Sequence, residues 1–151
     1  MIQRIQSLFL MAVVILSGLM FTGNLMVMDN GEGTLFSLRF AGLYDGGTAP
    51  AQQLWPLTLI IVLVPVMALV AVLLFKNRRL QMRFIMLVLL LSLGTFILGA
   101  FYIYMFTRKF DVTLVWKVRA VFPVVSAILA WLAYRAVMKD DMKVRSYDRL
   151  R

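Results

Sequence analysis

Cysteine and histidine are both missing from this 151-residue chain. That excludes disulfides, thiolate metal sites, a Cys nucleophile and a CxxC redox pair. It also removes the imidazole on which many haem, zinc and copper sites depend. Charge is scarce as well: charged residues make up 15% of the chain, against roughly a quarter in soluble domains. Acids are the rarer sign, seven against sixteen Lys and Arg, for a net charge of +9. What is abundant is apolar: 62% of residues are hydrophobic and the mean hydropathy is +0.88. This composition excludes both an ordinary soluble domain and a disordered chain. Eleven Met residues are scattered singly along the apolar runs, the pattern of gap-filling side chains and not of copper ligands.

The apolar excess falls in four blocks. A membrane-crossing helix needs about 20 mainly apolar residues to span a hydrocarbon core of roughly 30 Å. The blocks that meet this length are 7–28, 54–75, 84–107 and 118–138, giving a single all-α membrane domain with four transmembrane helices. Between them lie a long loop (29–53), a tight turn (76–83) and a short turn (108–117), and a tail (139–151) follows. No charge interrupts the first block between Arg4 and Asp29. Thr22, Gly23 and Asn24 do not form a small-residue cleavage site, so the first block reads as a retained helix, not a signal peptide. The fourth block is the weakest, because Arg119 and Arg135 lie inside its limits, near its ends, where long stems reach the headgroups.

Orientation follows from the distribution of Lys and Arg. One alternating set of segments holds Arg4, Lys76, Arg78, Arg79, Arg83, Arg135, Lys139, Lys143, Arg145, Arg149 and Arg151. The other holds only Arg39, Arg108, Lys109, Lys117 and Arg119. The expectation is that both termini and the 76–83 turn are cytoplasmic. Trp55, Tyr102, Tyr104 and Trp116 then fall at outer ends, as an aromatic belt. In the outer loop, Phe36, Leu38 and Phe40 alternate with Ser37 and Arg39, which is strand periodicity. A short strand or hairpin and an irregular interfacial loop both fit that segment.

Polar residues within the blocks are few and small. Ser92, Thr95 and Gly99 share one stripe of the third helix, and Ser126, Ala130 and Ala133 share one on the fourth, the kind of face through which helices pack in lipid. Gly18 and Thr22 give the first helix a weaker small-residue face. Pro65 removes a backbone donor in the middle of the second helix and predicts a kink there. No Asp or Glu lies within any block, and Asn24 is the strongest polar residue at depth. Buried acids and charged relays mark intramembrane chemistry, so no catalytic, cofactor-binding or metal-ligating set can be assembled. The chain also has no P-loop, GxSxG or GxGxxG.

The working surface is expected at the basic end. In the tail, Asp140 and Lys143, Asp141 and Arg145, and Asp148 and Arg151 are spaced as helical ion pairs. Val144, Tyr147 and Leu150 recur every three residues. The fourth helix is therefore expected to continue as an amphipathic segment. With Lys76, Arg78, Arg79 and Arg83, the tail residues Lys143, Arg145, Tyr147, Arg149 and Arg151 make a basic face. That face suits anionic headgroups or a docked membrane-protein partner. Nucleic acid ranks last, because the charge bias of membrane topology already accounts for the +9.

Three stretches carry a family resemblance: MIQRIQ at 1–6, KNRRLQ at 76–81 and VRSYDRLR at 144–151. In this order and position they resemble the small four-helix membrane proteins of Bacteroidetes grouped as domain of unknown function forty-two ninety-three. The resemblance runs from the first residue to the last. It implies an inner-membrane protein of a Gram-negative cell, with a variable loop between the first two helices. It implies no activity, so no site residues are carried over from it. The expectation is a non-enzymatic accessory or assembly subunit of an inner-membrane complex, docking through the basic turn and tail. The alternative is a small homo-oligomeric transporter, channel or lipid-binding membrane protein.

Overall fold

The computed structural model describes residues 3–29, 35–46, 52–110 and 113–148. Helix α1 (Gln3–Leu19) ends in a 3₁₀ turn, Met20–Thr22, and strands β1 (Met26–Asp29), β2 (Leu35–Arg39), β3 (Gly42–Asp45) and β4 (Gln52–Gln53) follow. Helix α2 (Trp55–Leu73) leads through a second 3₁₀ turn, Leu74–Lys76, into the long helix α3 (Arg78–Phe110). Strand β5 (Thr113–Trp116) and a third 3₁₀ turn, Val118–Val121, precede helix α4 (Phe122–Asp148). Among the described residues, four helices are long and apolar enough to cross a membrane. Each packs on its neighbour in the chain, and α1 closes the ring against α4, the up-and-down arrangement that short connections favour.

The four-helix expectation holds, but the chain is not all-α. The five strands form one antiparallel sheet in the order β4-β3-β2-β1-β5 at one end of the bundle. Two sequence boundaries change with it. The first block, expected to be helical through residue 28, leaves the helix after Thr22, and Met26–Asp29 is the inner strand β1, between β2 and β5. The turn expected over 108–117 is helical to Phe110 and then becomes strand β5. Both strands have apolar runs that periodicity alone cannot distinguish from the end of a buried helix. The decisive factor is non-local: β1 pairs on one side with β2, Met26 opposite Leu38, and on the other with β5, Met26 opposite Trp116. Those ladders satisfy the backbone groups that leaving the helix exposes. The expected alternation at 36–40 is real, and Phe36, Leu38 and Phe40 all belong to the core beneath the sheet.

Two apolar cores stack along the bundle. The one at the sheet end joins Met20, Leu25, Met26, Leu38, Leu43, Leu57 and Phe106. The second, in the helices, joins Leu10, Val13, Val64, Ala68, Ile85, Val88, Ala130 and Ala133. Large apolar side chains such as Leu8, Leu59, Leu90, Ile97 and Ile128 are exposed on the outer faces. A bundle whose outside is this apolar suits lipid as its solvent. Pro65 lies within α2, which runs unbroken across it.

The glycine Gly42 is set by geometry. Its φ is +150°, and a Cβ there would overlap the carbonyl oxygen of Gln52 on the paired strand β4. Only glycine accepts both constraints.

Candidate functional site

At the end away from the sheet, the α2–α3 turn is built on backbone bonds. The Asn77 amide donates to the Leu74 carbonyl at 3.0 Å, and the Gln81 amide donates to Asn77 at 2.9 Å, starting α3. Gln81 is buried, and its Nε2 donates to the Ala71 carbonyl at 3.1 Å. This satisfies one of the carbonyls that a helix leaves unpaired in its last turn. Arg78 turns toward α4. Its Nη2 lies 3.1 Å from Asp140 Oδ2, and its Nη1 donates to the Asp140 carbonyl at 3.3 Å. One guanidinium therefore holds both the side chain and the main chain of Asp140, joining the turn to the extension of α4. Arg79 and Arg83 stay exposed beside it, and with Asn77 and Leu80 they line an open basic depression.

The helical pairs expected of Asp140 with Lys143, Asp141 with Arg145 and Asp148 with Arg151 involve side chains outside the described residues. Asp140 pairs across the bundle with Arg78, a partner 62 residues away. Helix α4 does continue through the tail to Asp148. Lys143, Arg145 and Tyr147 lie on this extension; their side chains, that of Lys76, and all of Arg149 and Arg151 fall outside the described residues.

The small-residue stripes meet inside the bundle. Ser92, Thr95, Ser126, Ala130 and Ala133 are all buried, whereas Gly99 is half-buried and lines a crevice. On α1 the inward residue is Ser17, 2% exposed, and Thr22 is exposed. The face expected at Gly18 and Thr22 is not the buried one: small-residue spacing gives no phase, and the burial of Leu10 and Val13 beside Ser17 fixes it. Ser17 Oγ donates to the Val13 carbonyl at 2.7 Å and Thr95 Oγ1 to that of Leu91 at 2.9 Å. Among the described residues, Ser92 Oγ and Ser126 Oγ have no hydrogen-bond partner.

The sheet end carries its own polar contacts. Arg39 Nε donates to Asn24 Oδ1 at 2.8 Å, and the Arg39 guanidinium lies 4.7 Å from the Tyr44 ring centroid. The Arg119 guanidinium rests against Gly23, where any Cβ would overlap it. Further along the helices, Arg108 lies over Tyr104 at 5.2 Å and Arg135 over Trp131 at 4.8 Å, pairs one helical turn apart. Among the described residues, no group of three or more acidic side chains is placed to hold a metal ion.

Four apolar helices under a small sheet, with a basic turn at the far end, define a small helical protein compatible with a membrane. The chain belongs to the family described as Domain of unknown function (DUF4293), whose model matches residues 2–150. No curated protein and no solved structure matches it.

Proposed function

We propose that this protein is a non-enzymatic accessory or assembly subunit of an inner-membrane complex. It crosses the bacterial inner membrane four times, keeps both termini in the cytoplasm, and docks through its basic turn and tail. The observation that carries this is the grip of Arg78 on Asp140 at 3.1 Å. It makes the turn and the α4 extension one surface, on which Arg79 and Arg83 remain exposed. Exposed cations at a membrane boundary attract anionic headgroups by about 1 kcal/mol each, which holds the surface level with the bilayer while an acidic partner is engaged. The excess of Lys and Arg on this side of the four helices supports the orientation.

The test is affinity capture of the full chain from membranes in mild detergent, beside an Arg79→Glu/Arg83→Glu variant. Other membrane subunits captured with the natural chain, and lost with the variant, are the expected result. Capture of this chain alone in both cases overturns the proposal. A second reading, a lipid-binding membrane protein, is favoured by the crevice that Gly99 lines.

A further inference from the structure

Inside the bundle a cavity of about 10 Å³ is walled by Ser17 of α1, Ser92 and Thr95 of α3 and Ser126 of α4. All four residues are buried, at 2%, 1%, 4% and 2% exposure. Each hydroxyl has one proton to donate and two lone pairs to accept with. Ser17 and Thr95 commit their protons to their own helices, to the Val13 carbonyl at 2.7 Å and the Leu91 carbonyl at 2.9 Å. What they keep is acceptor lone pairs. Ser92 Oγ and Ser126 Oγ have no partner among the described residues, so each keeps its proton to donate. Two acceptors and two donors, brought from three helices, thus stand around one small space.

We infer that this cavity is a binding site for one water molecule, held by all four hydroxyls. Water matches the set: it gives two protons, to Ser17 Oγ and Thr95 Oγ1, and receives those of Ser92 and Ser126 on its two lone pairs. The size matches too, since a cavity of roughly 10–15 Å³ holds a single water. Any organic ligand is too large. A cation of similar size would sit among neutral oxygens with no carboxylate on the wall, and a buried charge without a counter-charge is strongly disfavoured. An apolar occupant would leave both serine protons without an acceptor, which burial penalises. Apolar packing is non-directional, whereas a water bonded to three helices fixes how α1 is turned against α3 and α4. The site lies apart from the basic turn and stands whether or not that surface docks a partner.

The test is a crystal structure of the full chain, grown in lipid, at a resolution that shows ordered water, beside unfolding of the natural chain and two variants in detergent. The expected result is one peak within about 2.5–3.0 Å of the four hydroxyl oxygens. Ser92→Ala and Ser126→Ala are each expected to raise the unfolding constant about fivefold, the loss of one neutral hydrogen bond. A buried hydroxyl with nothing bound to it responds the other way, because alanine then removes an unsatisfied donor. Three results overturn the inference: both serine protons turned onto their own helix carbonyls with no peak between them; a peak that thallium replaces, which marks a cation; or alanine variants whose unfolding constants are unchanged or lower.

Discussion

Arg78 and Asp140 stand 62 residues apart in the chain and 3.1 Å apart in space. They are the described link between the α2–α3 turn and the α4 extension. The pair is part-buried, at 27% and 16% side-chain exposure, and its second bond reaches the Asp140 main chain. Arg78→Gln and Asp140→Asn are each expected to lower stability by about 1 kcal/mol, the upper range for ion pairs in contact with water. The exchange Arg78→Asp/Asp140→Arg is expected to recover only part of that, because the short aspartate cannot reach the main-chain carbonyl and has no proton to donate to it. Denaturant unfolding of the four chains in detergent measures both effects.

Gly42 is fixed by its φ of +150° and by the Gln52 carbonyl that occupies the place of a Cβ. Gly42→Ala is expected to separate β4 from β3 at a local cost of about 1–3 kcal/mol. Hydrogen exchange is the measurement. Amides of 42–45 and 52–53 lose protection, while those in the middle of α2 and α3 keep theirs.

Gly23 and Arg119 form a different kind of contact. The obstacle at Gly23 is the far end of a flexible side chain, and the glycine itself is in ordinary extended backbone, φ −176°. Gly23→Ala is therefore expected to be mild, under about 1 kcal/mol, and to become neutral when Arg119→Ala is present. A double-mutant cycle reads that coupling directly.

The helices were legible because lipid imposes a simple rule: long apolar runs, and charges only near their ends. The sheet was legible only in part. Phe36, Leu38 and Phe40 announce β2 by alternation, since one face of that strand meets the core. Met26–Asp29 and Thr113–Trp116 do not alternate; they are strands because they pair with each other and, for the first, with β2. Such pairing is a property of the assembled chain and has no local signature. At the basic end, Arg78, Arg79 and Arg83 were readable as a charged cluster, but its geometry was not. The pairing of Arg78 with Asp140 depends on how α3 and α4 cross, which helical spacing does not carry. In the interior, the stripe residues were visible in sequence. The difference between satisfied Thr95 and unsatisfied Ser92 and Ser126 is a matter of side-chain geometry.

In the proposed arrangement four helices cross the bilayer with the basic turn inside and the sheet outside. The chain's lack of cysteine makes the direct measurement clean: single substitutions Asp45→Cys and Arg79→Cys, both at exposed positions, treated with a membrane-impermeant maleimide on intact spheroplasts. The expected result is that D45C labels at once and R79C labels only after the membrane is permeabilised. Labelling of R79C on intact cells, or of both positions from the same side, contradicts it.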